Sequence, residues 1–155
     1  MAVGRLNYSR LNDTLLAGAM PHSTAHVDVL AAEGVGLVVN LCELREYWVG
    51  EREAVLAAYR AAGIRELHLP VKDGATVPTR VIDAAVHGVD GAVTYVHCRG
   101  GRERSATVAT AMLASAQGLT ITQALAMAQL GRPVFQPLPW QLEALHAWGD
   151  ARAMR

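Results

Sequence analysis

The sequence predicts an α/β sandwich: one domain spanning residues 1–155, with a central, mostly parallel, twisted sheet flanked by helices. Three observations carry that prediction. Short apolar runs alternate with helical segments through the first two thirds of the chain. One of those runs, Val35 to Leu41, is continuously apolar, the pattern of a strand buried on both faces. From Arg104 onward the chain reads as helix after helix, so helices are available to cover both faces of a sheet. No internal repeat, linker or low-complexity segment interrupts it.

The elements follow in order. Leu15 to Gly18 reads as a short strand, followed by a helix from Thr24 to Glu33 and a turn at Gly34. After the Val35–Leu41 strand, Glu51 to Ala62 is a longer helix, with Gly63 as its C-terminal stop. Ile64 to Leu69 alternates like a strand and stops at Pro70. Residues 71–77 form a loop holding Asp73-Gly74, and Pro78 opens the next helix, which ends near Gly88. Ala92 to Val96 is another short buried strand. The helices Arg104 to Gln117, Thr120 to Leu130 and Pro139 to Trp148 close the chain; Thr120 with Gln123 makes a capping box at the second of them. Trp140 and Trp148, eight apart on the last helix, are expected in the core.

Composition narrows the functional classes. The chain has 155 residues, 52% hydrophobic, with 14 basic side chains against 14 acidic. That is enough apolar material for a core and excludes disordered, collagenous and disulfide-scaffold classes. Zero net charge argues against a broad nucleic-acid or acidic-membrane coat. Two cysteines, Cys42 and Cys98, are too few for a disulfide framework and point to a reducing, cytoplasmic compartment. Met1 to Arg10 lacks the apolar core of a signal peptide. The uncharged stretch between Arg104 and Arg132 is too rich in Ser, Thr and Gln for a transmembrane span, and reads as two buried helices broken at Gly118.

The chemistry concentrates in His97-Cys98-Arg99-Gly100-Gly101-Arg102-Glu103-Arg104-Ser105, between a buried strand and a helix N-terminus. Glycines at 100 and 101 let the chain fold tightly, so backbone N–H groups turn inward. The helix starting near Arg104 adds its unpaired N–H groups and positive dipole end. Together they form a cradle for a tetrahedral dianion, with the Arg104 fork able to hold two phosphoryl oxygens. Cys98 sits at the centre of that positive field, which favours its thiolate. Ser105 can donate a hydrogen bond to the sulfur. A thiolate aimed at bound phosphorus implies transfer through a phosphocysteine. The alternative is a structural cysteine beside a solvated turn. Five fixed positions (His97, Cys98, Gly101, Arg104, Ser105) at about one in twenty each make a chance match rarer than roughly one in a thousand.

The loop resembles that of the cysteine-dependent protein-tyrosine phosphatase superfamily, in particular its compact dual-specificity branch. Leu11 to Ala19 resembles that branch's opening strand, and Pro133 to Trp148, with Gln141 and Leu145, its closing helix. The resemblance implies a dual-specificity-phosphatase-like fold and a two-step mechanism without metal or cofactor. It implies a bracing role for His97. Asp73, in a Gly-containing loop directly after a strand, stands where the branch carries its general acid; a plain Asp-Gly turn is the alternative. Cys42, following the Val35–Leu41 strand, is a redox partner for Cys98 if this chain protects its nucleophile as some members do. The remaining histidines lack metal-ligand clustering and are expected at the surface or at caps; His22 and His26 share an i, i+4 spacing without a further ligand.

The substrate is less determined. Glu103 departs from the branch, where Ser or Gly is commoner, and its carboxylate would oppose a dianion unless it points outward to a cation. Arg99 and Arg102 make the loop unusually basic, as in lipid-directed members. The spacing of Asp73 and Pro78, and Glu43-Leu44-Arg45-Glu46-Tyr47, resemble the mitochondrial-type phosphatidylglycerophosphate phosphatase. Nothing resembles the loop that builds a deep phosphotyrosine-only pocket. The expected substrate is a phosphorylated protein, bearing phosphotyrosine, phosphoserine or phosphothreonine. The alternatives are a phospholipid (phosphatidylglycerophosphate or a phosphoinositide, met in transient membrane-surface contact) or small phosphate ester, with Arg99 and Arg102 as added anchors, and a phosphate-binding pseudo-enzyme silenced by Glu103.

Overall fold

The computed structural model describes residues 4–154, so the first three residues of the segment read for a signal peptide lie outside it. Strands β1 (Tyr8–Arg10), β2 (Leu15–Gly18), β3 (Val35–Asn40), β4 (Arg65–His68) and β5 (Val93–His97) form one sheet in the order β1-β2-β5-β3-β4. Only β1 runs antiparallel, paired to β2; the β2–β5, β5–β3 and β3–β4 pairs are parallel. Among the described residues six α-helices complete the fold: α1 (Thr24–Ala32), α2 (Glu51–Ala62), α3 (Thr79–Gly88), α4 (Arg104–Gln117), α5 (Ile121–Gly131) and α6 (Pro139–Ala153). The mostly parallel sheet flanked by helices is the architecture expected from the sequence.

Alternation along the strands explains the two cores. Leu15 and Ala17 of β2 face one cluster, with Val96 of β5, Val81, Ile82 and Ala85 of α3, and the inner faces of α4 and α6. Leu16, one residue out of phase, faces the other, with Val38, Tyr95 and the α1 and α2 side chains Val27, Leu30, Val55 and Tyr59. Helix α2 ends where expected, with Gly63 in the left-handed conformation at φ 71°.

Three expectations need correction. The uncharged stretch after Arg104 is not two buried helices. Helix α4 is buried from Arg104 to Ala114, but α5 buries only Ile121, Ala124 and Ala128 and leaves Leu130 exposed. Thr and Gln hydrate an outer face without any charge, so absence of charge misreads as burial. Helix α6 continues past Trp148 to Ala153 because Gly149 is no stop. It marks a close approach, where a Cβ would meet Ile121 Cγ1 at 2.6 Å. Trp148 is buried, but Trp140 is 49% exposed. Eight residues advance a helix about 80° beyond two full turns, so the two indoles do not share a face. Among the described residues, no helix is long and apolar enough to cross a membrane.

Candidate active site

In a parallel sheet every strand delivers its C-terminal end to one edge, and loops there converge. Here β5 at the centre leads into Cys98 to Glu103, β3 into Leu41 to Glu46, β4 into the Asp73 loop, and β2 into Gly18 to Met20. This brings Cys98, Arg104, Ser105, Asp73 and Cys42, remote in sequence, to one edge.

The loop from Cys98 to Glu103 is shaped by what its carbonyls do. The Cys98 carbonyl faces His97 Nδ1 at 3.1 Å, and the Arg99 carbonyl accepts from Met20 N at 3.0 Å. The Gly101 carbonyl accepts from Arg132 Nε at 2.8 Å, the Arg102 carbonyl from Gln136 N at 2.7 Å, and the Glu103 carbonyl from Thr107 N at 3.0 Å. Five peptide oxygens are thus drawn outward to surrounding structure. The opposite ends of those five peptides, the N–H groups of residues 99, 100, 102, 103 and 104, donate to no backbone acceptor among the described residues. Amide hydrogens left without protein acceptors in a tight loop can serve as an anion cradle. Gly101 makes the tight turn possible: its φ is +70°, and a Cβ there would lie 2.3 Å from the Gly18 carbonyl carbon.

Cys98 is 3% exposed, with Sγ 3.3 Å from Ser105 Oγ at the first turn of α4. Arg104 is buried beneath the loop. Its Nη1 donates to Glu46 Oε2 at 2.8 Å, Val71 O at 2.8 Å and Leu41 O at 3.3 Å, and Nη2 to Glu46 Oε1 at 2.7 Å. Burial works against its charge, but the two Glu46 bonds and the nearby thiol groups outweigh that and hold it firmly protonated. In Glu46, burial favours the neutral acid, while the bonds from Arg104 and from the Glu43 backbone N–H win and keep its carboxyl below the usual range. Asp73 Oδ1 lies 3.6 Å from Arg104 Nη2, its side chain 72% exposed.

The chain matches the family described as PTP-SAK, Swiss Army Knife protein, DSP-PTPase phosphatase domain, over residues 10–152. It belongs to that family. Human dual specificity phosphatase 28 is 36% identical over 130 residues, covering 79% of this chain and 66% of that protein. The chain therefore spans just under two thirds of that relative's length. The mouse protein phosphatidylglycerophosphatase and protein-tyrosine phosphatase 1 is 30% identical over 144 residues, covering 89% of this chain and 74% of that one. Among solved structures, PTPMT1 in complex with PI(5)P superposes with a TM-score of 0.80 at 27% identity, covering 94% of this chain and 98% of that chain.

Within this DSP-PTPase domain the other singled-out residues fall into place. Arg99 is exposed and donates to the Glu46 carbonyl, while Arg102 is exposed without an ion pair among the described residues. Glu103 is half-buried and lines a groove with Arg102, Pro133 and Pro139. The cation expected to hold Glu103 is not found: no ion pair holds it among the described residues. Cys42 is fully buried, with Sγ 3.8 Å from His97 Nδ1, and both thiols are free. His26, expected at the surface or at a cap, is buried, with Nε2 2.6 Å from Gly4 O. Among the described residues no group of three metal-ligating side chains occurs.

Sequence reasoning did not assign Glu46 or Arg132 to the site. Arg132 is buried, donating to Gly101 O and to Ser9 Oγ at 3.1 Å. Its signal was faint, a lone Arg before Pro133 ending an uncharged stretch. In the sequence Glu46 stands out only as part of an acidic-aromatic run. Its position just past the C-terminal end of a central strand was the available pointer.

His97 is fully buried and makes a pH prediction. Burial lowers its pKa to about 4, so it is neutral at pH 7. Nε2 has no hydrogen-bond partner, which places the single proton on Nδ1, facing the Cys98 carbonyl. The unfolded chain takes up a proton near pH 6.5 that the folded chain refuses until about 4. Stability is therefore fully present above about 6.5 and falls as pH drops towards 4, by up to roughly 3 kcal/mol. Urea titrations at pH 7 and pH 5 check this: His97→Gln removes this component of the loss, and an unchanged difference would overturn the assignment.

Proposed function

We propose that this chain is a cysteine-dependent phosphomonoester hydrolase acting through a phosphocysteine intermediate. The observation that carries the reading is the set of loop amides after Cys98 left without backbone acceptors among the described residues, with the Arg104 fork beneath the loop and Asp73 beside Arg104. The amides of residues 99 to 104, contributed by Arg99, Gly100, Gly101, Arg102, Glu103 and Arg104, bind the phosphoryl oxygens. Arg104 Nε donates to no protein group among the described residues, which leaves that edge of the fork for phosphate.

In the first step the Cys98 thiolate attacks phosphorus, the bond from phosphorus to the leaving oxygen breaks, and Asp73 gives that oxygen its proton. In the second, Asp73 as carboxylate takes a proton from water, whose oxygen attacks phosphorus; the S–P bond breaks and the thiolate returns, with Ser105 Oγ positioned to donate to it.

The substrate class we favour is a phosphorylated protein, met in a site open to all three hydroxyl esters. One observation supports a phospholipid instead. Trp48 is 74% exposed, Leu44 and Val49 are also exposed, and this apolar segment is tied to the site through Arg99 and Arg104 on Glu46. An exposed indole of this kind suits a lipid interface. A panel of three phosphopeptides against phosphatidylglycerophosphate in anionic vesicles separates the two. Peptide turnover at least about tenfold above lipid turnover, roughly 1.4 kcal/mol in transition-state binding, supports the protein reading, and the reverse ratio overturns it. No phosphate release from any substrate, nor from an aryl phosphate, overturns the hydrolase reading itself.

A further inference from the structure

The segment carrying Asp73 has little packing of its own. Val71 and Val77 are buried at its ends, but residues 72–76 are exposed or half-buried. Its position is therefore set by backbone hydrogen bonds. At one end, Val71 N donates to Leu41 O at 3.0 Å, and Val71 O accepts from Arg104 Nη1. In the middle, Ala75 N donates to Lys72 O at 3.0 Å, closing a turn around Asp73 and Gly74, with Gly74 at φ +79°. At the other end, helix α6 holds it. Trp140 Nε1 donates to Gly74 O at 2.8 Å, and Gln141 Nε2 donates to Ala75 O at 2.9 Å.

These two donors are built differently. Gln141 is fully buried, and its Oε1 accepts from Leu138 N at 2.9 Å, so its amide orientation is fixed by the start of the helix. Trp140 is half exposed and contributes little to the core, yet its indole N–H is spent on the carbonyl of the residue next to Asp73. An indole N–H offers a single donor on a rigid ring, so its bond to Gly74 O fixes the plane of the Gly74–Ala75 peptide, one residue beyond Asp73. Asp73, though mostly exposed, then keeps its Oδ1 3.6 Å from Arg104 Nη2 despite the glycine beside it.

We propose that Trp140 is a positioning residue for the general acid, holding Asp73 in its proton-donating place through Gly74, with Gln141 fixing the adjoining peptide. This rests on the reading of Asp73 as acid given under Proposed function. No lid closure is needed to bring the acid in, because the turn is already pinned on both sides.

The test compares Trp140→Phe with wild type on two aryl phosphates, reading kcat/KM, which reports the step that breaks the ester bond. Phenol, with an acidity near that of tyrosine at about 10, must be protonated as it leaves. Dinitrophenolate leaves without help. Trp140→Phe is expected to lower kcat/KM about tenfold for phenyl phosphate and within about twofold for dinitrophenyl phosphate, a misplaced group being felt only where it acts. In an Asp73→Asn background, the same substitution is expected to have no further effect on phenyl phosphate. Equal losses on both substrates, or an undiminished loss on top of Asp73→Asn, would mark Trp140 as merely structural and overturn the proposal. If Asp73→Asn itself fails to discriminate the substrates, the acid assignment falls and this proposal with it. A wild-type chain inert to both esters overturns the hydrolase reading. The three failures are thus distinguishable.

Discussion

Cys98→Ser is expected to lower kcat/KM for an aryl phosphate by at least about 10⁴-fold while leaving the fold in place. The exchange of sulfur for oxygen is nearly isosteric, and the loop carbonyls that shape the cradle do not depend on Sγ. What changes is the nucleophile. Sulfur is the better nucleophile, and among the described residues no histidine or carboxylate is hydrogen-bonded to the residue 98 side chain to activate a serine hydroxyl in its place. Binding of the phosphoryl group should survive, because amides and Arg104 supply it. Isothermal titration with inorganic phosphate and a thermal melt accompany the rate measurement. Unchanged affinity and melting with turnover lost is the expected result; turnover within tenfold of wild type would sink the nucleophile assignment.

What the sequence made legible, and what it did not, follows from how each feature is encoded. The cradle is written contiguously, since strand β5, the loop with its glycine turn and the start of α4 occupy consecutive residues. Its periodicity and spacing can be read directly. Helix α2, with its glycine cap, is local in the same sense. Glu46 is not local: it meets Arg104 across 58 positions, because β3 and β5 are sheet neighbours. That adjacency depends on strand order, which no run of residues states. Trp140 is harder still. An aromatic residue on a terminal helix reads as core, and only the angular offset from Trp148 and the place where α6 meets the Gly74 turn show otherwise. Likewise an uncharged helix such as α5 looks buried until its neighbours are known. The three-residue β1, antiparallel at the sheet edge, is too short to leave a pattern.

The second large effect is expected from Arg104→Lys: a drop of about 10²–10³-fold in kcat/KM, in the range of removing one preorganised oxyanion donor. Charge is kept, so long-range attraction for a phosphate is little altered. The fork is lost. In wild type, Nη1 and Nη2 bind both Glu46 oxygens and the Val71 and Leu41 carbonyls, and among the described residues Nε has no protein acceptor. A lysine ammonium has three donors at one point and cannot serve Glu46 and a phosphoryl group on opposite edges. Because Glu46 is mostly buried, the ammonium is expected to side with it rather than with substrate. Activity should therefore fall more than stability does, since a Lys–Glu pair remains while the phosphate loses its second bond. Arg104→Met separates the two contributions. It strands the Glu46 carboxylate and is expected to cost about 3–5 kcal/mol of stability in urea titrations, where Arg104→Lys should cost far less. If Arg104→Lys retained turnover within about tenfold of wild type, bidentate phosphate binding by Arg104 would be wrong, and the amide ring alone would have to hold the transition state.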